Sequence, residues 1–290
     1  MTNVDDDFQT MIDSYEEEKA KADNKKQEIK PPQSDKIVKV KFEAENFAVN
    51  QYGKPKVNSL KNIRIAIEND NILKNQFVFN SFTQEIEIRT PFKLKGVEIE
   101  NDGLKEVYIT AILEHFEEKY DVLFDSRLLV NVINKIAYEN KYNPVQDFME
   151  DCYKNWDRVQ RARNLFPDYL GAKESDLTER ITKLFFVGAV SKVYRPYGKF
   201  DFVLDLVGGQ GSGKTTFLTK MGQGWYTDSM KNFDDKDQLV MMLRALIVND
   251  DEMAISNKIP FADLKKFITQ TVLSFRAPYG TKVENYAKNF

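Results

Sequence analysis

The sequence predicts an α/β fold with a phosphate-binding loop (P-loop) at its centre, and three observations predict it. First, the apolar run Phe202-Val203-Leu204-Asp205-Leu206-Val207 leads into Gly208-Gly209-Gln210-Gly211-Ser212-Gly213-Lys214-Thr215. These eight residues fit the pattern G-x-x-x-x-G-K-[ST]. Second, Thr215-Thr216-Phe217-Leu218-Thr219-Lys220-Met221 follows as a helical stretch. Third, the apolar run Leu246-Ile247-Val248 ends in Asn249-Asp250-Asp251-Glu252. Parallel α/β sheets gather their ligand-binding groups at the carboxyl ends of strands, and both runs end in such groups.

The loop chemistry follows from charge. A triphosphate is a dense anion that needs many N–H donors at close range. Gly208, Gly209, Gly211 and Gly213 let the backbone wrap it, and successive amides form an anion nest. Gln210, Ser212 and Thr216 complete the expected binding set. The following helix adds roughly half a positive charge at its N-terminus. Lys214 is expected to reach the β- and γ-phosphates, and the Thr215 hydroxyl to ligate Mg²⁺.

A P-loop alone does not separate ATPases from kinases or nucleotide switches. The acidic run separates them further. An Asp after the second strand would hold Mg²⁺ through water, and an adjacent Glu would polarise the attacking water. Asp251 is assigned to the metal and Glu252 to the base, with Asp250 as the metal residue if the register slips by one. A sugar or nucleotide kinase has no need of the Asp-Glu pair, so hydrolysis is favoured. The bland alternative is a solvated acidic loop after a buried strand.

Composition sets bounds. The chain has 290 residues, 42% hydrophobic and 30% charged, with a formal net charge of −3. That length suits two domains of about 150 residues each. No apolar run approaches the roughly 18 residues of a membrane span. The start, with Asp5-Asp6-Asp7, lacks the basic-then-apolar order of a secretory leader. A single cysteine, Cys152, excludes an internal disulfide framework and fits a reducing cytoplasm. His115, the single histidine, falls on the polar side of an expected helix, where a solvated position is predicted.

Along the chain, residues 1–35 are charged, poor in apolar residues and end near Pro31-Pro32. They read as a disordered or loosely helical tail. Residues 36–141 read as a small α+β domain. It opens on an alternating strand at 37–42, then a helix at 60–67 and paired strands at 77–80 and 85–89. Helices are expected at about 104–120, 126–140, 144–153 and 176–194. Asn143-Pro144 fits an N-cap with proline at the first helical position, and Ser175 or Asp176 would cap the last helix. Residues 142–290 read as a helical lead-in plus the nucleotide core.

Several segments from Tyr142 onward resemble the virulence-associated protein E family. Asn143-Pro144-Val145-Gln146-Asp147-Phe148 is similar to the family's H-P-V-R-D-Y-L segment, with Asn in place of His. Trp156-Asp157 resembles its W-D-G segment without the Gly. Lys199-Phe200-Asp201, Asp228-Ser229 and Asp234-Asp235-Lys236-Asp237 flank the P-loop as in the family. Leu246 to Glu252 resembles its Walker B strand, and Phe275-Arg276-Ala277-Pro278-Tyr279-Gly280 its R-x-P-Y-G segment. The likeness covers about half the chain.

The resemblance implies a P-loop NTPase core related to AAA+ proteins and superfamily 3 helicases. It implies an ATP-driven DNA helicase for replication of a phage or mobile element, in the cytoplasm of a bacterial host. The partner would be single-stranded or origin DNA, and the assembly a homo-oligomeric ring, a hexamer. A DNA-contacting β-hairpin would fall at 276–282, with Arg276 and Lys282 as contacts and Lys282 the preferred phosphate contact. The alternative makes those two residues a solvated hairpin face.

The sequence departs from the pattern after Phe290. Family members continue with a further strand ending in a polar sensor residue, and then an arginine finger. The expectation is therefore an incomplete core: a fragment of a longer protein, or one whose P-loop strand and acid-bearing strand pair directly or take a partner from another chain. A truncated ATP-binding module that regulates or interferes with another machine, without efficient turnover, is the alternative function.

Overall fold

The computed structural model describes residues 46–276 and 282–288. The tail expected over 1–35, the strand expected at 37–42 and residues 277–280 of the R-x-P-Y-G-like segment lie outside the described residues.

The first part of the described chain combines helices with small sheets. Helix α1 (Leu60–Glu68) starts at Ser59, whose hydroxyl accepts the Asn62 amide. It buries Ile63, Ala66 and Ile67, spaced for one helical face. Asn62 is buried beside them and fully bonded. Its Oδ1 accepts the Ala48 amide at 2.7 Å, and its Nδ2 donates to Ala48 and Lys56 carbonyls. Strands β1 (Phe77–Asn80) and β2 (Glu85–Ile88) pair antiparallel, Phe77 opposite Ile88. Strands β3 (Phe92–Leu94) and β4 (Val97–Ile99) form a hairpin around Lys95 and Gly96, both at positive φ, as tight hairpin turns require.

Helices α2 (Glu106–Tyr120) and α3 (Ser126–Glu139) follow, α3 capped by the Asp125 carboxylate. The short β5 (Lys141–Tyr142) joins the free edge of β1 in parallel, giving the order β2-β1-β5. Phe77, Ile63, Phe116, Leu129 and Ile133 have no measurable exposure and form the centre of this part.

One expectation fails here. His115 is not a solvated helix position. Its Nε2 lies 2.7 Å from Asp70 Oδ2, and the ring side chain is 16% exposed. The reason is tertiary: the loop after α1 brings a buried carboxylate against the polar side of α2.

The second part begins with α4 (Pro144–Lys154). Asn143 Oδ1 accepts the Val145 and Gln146 amides, and Pro144 sits at the first helical position. Helices α5 (Leu165–Leu170) and α6 (Asp176–Tyr194) follow, and Ser175 is the cap of α6, accepting the Thr178 amide. After the P-loop come α7 (Lys214–Met221), β6 (Tyr226–Thr227), α8 (Lys236–Leu243) and β7 (Ile247–Val248). Helix α9 (Phe261–Thr269) leads to the hairpin of β8 (Val272–Phe275) and β9 (Glu284–Ala287).

The molecule is thus mixed α/β, with helices around several small sheets. The apolar run 202–207 differs from expectation: it forms no strand. Phe202, Val203 and Val207 are 61%, 68% and 90% exposed. Asp205 is exposed too, which removes the oddity of a charge in a buried strand. A strand needs a neighbour for its backbone groups, and no described segment supplies one. Strand β7 pairs on one edge with β6, in parallel, and its other edge has no sheet partner among the described residues. Direct pairing between the run and the acid-bearing strand does not occur.

Candidate functional site

The glycine-rich segment is a loop that ends at the first turn of α7. Gly211 and Gly213 have φ of +79° and +83°, a region where a side chain would be strained. The left-handed Gly213 is the N-cap of α7, and the first intrahelical bond runs from the Phe217 amide to the Gly213 carbonyl at 2.8 Å. The amides of Lys214, Thr215 and Thr216 precede that bond, so the helix itself offers them no acceptor.

The Lys214 ammonium folds back over the loop. It donates to the Gly208 and Gly209 carbonyls at 2.9 Å each and lies 3.2 Å from Ser212 Oγ. A Cβ added at Gly208 would stand 3.6 Å from Ser212 Oγ and 4.0 Å from Lys214 Nζ. The loop is therefore a cradle closed around a cation. Its donor set, a lysine plus helix-terminal amides, fits a phosphate. Gln210, Thr215 and Thr216 are exposed beside it.

Packing brings the two predicted halves of the site onto one apolar cluster. Phe217, Leu218 and Met221 of α7 pack against a core that contains Leu246 and Ile247, together with Phe166 and Phe185. The amides of Leu246 and Ile247 both donate to the Trp225 carbonyl, which registers β7 beside β6. Beyond β7, Asn249 donates to Tyr226 Oη at 3.0 Å. Tyr226 is half-buried, and burial raises its phenol.

The three acids differ. Asp250 Oδ1 and Oδ2 accept the amides of Ile255 and Ser256, so its carboxylate closes a turn. Asp251 and Glu252 are exposed on that turn, and Glu252 has a φ of +54°. Thr215 and Asp251 carry free oxygen ligands of the hard type that Mg²⁺ takes. Tyr226 and Asn249 were not singled out by the sequence, although Asn249 borders the acidic run.

Arg276 and Lys282 flank the open end of the β8–β9 hairpin, and both are exposed. The hairpin is anchored by Leu273 and Phe275, buried with Met230, Leu239 and Met242. It is held further by the Phe275–Tyr286 ring contact at 4.8 Å.

Residues 149–290 match the virulence-associated protein E-like domain. That region belongs to this family. A comparison of the sequence with curated proteins gave no match. The virulence-associated protein E-like domain thus takes in the P-loop, the acid-bearing strand and the hairpin, and begins within α4. Among the described residues, no helix is long and apolar enough to cross a membrane.

Proposed function

We propose that the chain is an ATP-binding and ATP-hydrolysing module of the DNA helicase type, serving replication of a phage or mobile element. The observation that carries this reading is the shared cluster of α7 and β7, which sets the glycine-rich loop and the acidic turn on one core. Lys214 would contact the β- and γ-phosphates, and the loop amides would bind the rest of the anion. Thr215 and Asp251 would hold Mg²⁺, which supplies charge neutralisation at the phosphates. Glu252 would orient the attacking water. Arg276 and Lys282, at the hairpin end, would contact DNA phosphates. A ring of identical subunits in a bacterial cytoplasm belongs to the same reading.

A second reading is favoured by one specific feature. The run entering the loop is exposed and unpaired, which suits a module that binds ATP but turns it over poorly without further structure. Turnover measured with and without single-stranded DNA, in the parent and in Lys214→Ala, tests both. DNA-stimulated turnover lost in Lys214→Ala supports the motor. Binding without turnover supports the second reading, and absence of ATP binding overturns both.

A further inference from the structure

A cavity of about 370 Å³ lies away from the P-loop, between β1, the ends of α3 and α6, and β9. No residue of the glycine-rich loop or the acidic turn lines it, and no Asp or Glu lines it either. Two lysines do. Lys192 is 6% exposed and donates to the Pro196 and Gly198 carbonyls at 2.5 and 3.1 Å. That uses two of three N–H donors and leaves one. No carboxylate pairs with Lys192 among the described residues. Lys141 is exposed at the rim, likewise without an ion pair there.

A buried cation without a counter-ion is costly, and it points to an anion that completes it. Among the nearby carboxylates, Glu87 bonds Tyr142 and Asn80, Glu85 pairs with Arg244, and Asp201 pairs with Lys199 through one oxygen, its other oxygen being buried without a hydrogen-bond partner among the described residues. Neutral donors add to the lysines. Asn143 uses its Oδ1 in capping α4, and Asn285 accepts from Ser274 at 2.7 Å, so each retains an amide NH₂.

Five aromatic side chains, Phe79, Phe82, Tyr138, Tyr197 and Tyr286, form part of the wall. Tyr138 is 64% exposed and packs on Phe79 with ring centroids 4.7 Å apart; Tyr197 is 60% exposed. Exposed rings beside cations are what a nucleotide takes, the base stacking on the ring and the phosphate on the ammonium groups. The β9 residues Asn285, Tyr286 and Ala287 line the cavity, so it sits at the base of the hairpin that carries Arg276 and Lys282.

We propose that this cavity binds a nucleotide, with its phosphate on Lys192 and Lys141 and its base on Tyr138 and Tyr197. A free nucleotide and one nucleotide of a single strand present the same chemistry. The site is separate from the P-loop and does not require ATP hydrolysis.

The test uses the full chain carrying Lys214→Ala, which takes the P-loop lysine out of the readout. Free dTMP and a labelled oligo(dT) are titrated separately. Tyr197→Ala and Lys141→Ala alter exposed side chains. Each is expected to weaken binding about tenfold, and Lys141→Ala to lower the salt slope by about one. Tight dTMP binding assigns the free nucleotide; binding of oligo(dT) alone assigns a strand. Binding of neither probe overturns the proposal. So does oligo(dT) binding that survives both cavity variants and is lost in Arg276→Ala or Lys282→Ala.

Discussion

The Asp250 carboxylate holds the Ser256 amide at 2.8 Å, five residues beyond the Asp251 position that it supports. Its other oxygen holds the Ile255 amide. Of three consecutive acids, the first is a clasp and the next two are free. Replacing Asp250 by Ala strands two amides and should cost about 1–2 kcal/mol, read as a lower urea midpoint. Asp251→Asn should leave that midpoint within about 0.5 kcal/mol and abolish Mg²⁺-dependent turnover. Equal destabilisation by both variants would count against this division of labour.

Gly213→Ala tests the loop. A Cβ there meets no atom within 4 Å, so the penalty is the backbone alone, at φ +83°. The expected loss is about 1 kcal/mol. Mg-ATP should raise the thermal midpoint of the parent, and this rise should vanish in the variant. A retained rise would show that the loop does not wrap the phosphates as its geometry suggests.

Asp70 gives a pH-dependent prediction. Burial alone would raise its carboxyl, yet hydrogen bonds from His115, Lys119 and the Ile72 amide hold it well below the usual carboxylate range. A depressed folded value means that the stabilisation is complete above the unfolded value, about 4, and is lost as the pH falls below it. Asp70→Asn should cost about 3 kcal/mol near neutral pH, because it leaves His115 and Lys119 against an uncharged group. It should also flatten the stability curve below about pH 4. Urea midpoints across that range check both.

Lys288 behaves in the opposite sense. Its ammonium donates to the Phe267 and Ile268 carbonyls at the end of α9. Burial, aided by the nearby Lys192 cation and opposed by Asp201, lowers its pKa to about 8. The unfolded chain therefore holds the proton more tightly between about pH 8 and about pH 10, and stability should rise with pH in that window. Lys288→Met should abolish the rise. A midpoint that climbs equally in the variant would assign the effect to other groups.

Local signals carried far. The Asn143-Pro144 cap, the helix at 60–67 and the paired strands at 77–80 and 85–89 are written in neighbouring residues, and each element forms where its own chemistry predicts. What stayed hidden needs distant partners. His115 meets Asp70 across 45 positions, and nothing near either residue announces the other. The run 202–207 has the composition of a strand, but strands depend on a neighbour that local sequence cannot supply. In the candidate site, the loop, its helix and the acid-bearing strand were legible as motifs. The role of Asp250 was not, because its partners follow in an irregular turn. The cavity was invisible for a similar reason: its wall is assembled from five separated stretches of chain.

The strand bearing the acids is two residues long and is joined to a partner of the same length. So brief a parallel ladder has almost no cooperative protection of its own. Its amides should exchange with deuterium well before those of Phe116 or Ile133, through local openings that leave the first part of the molecule intact. The acidic turn would then be set in a region that orders and loosens independently, and Mg-ATP bound across α7 and β7 would be seen first as slowed exchange there.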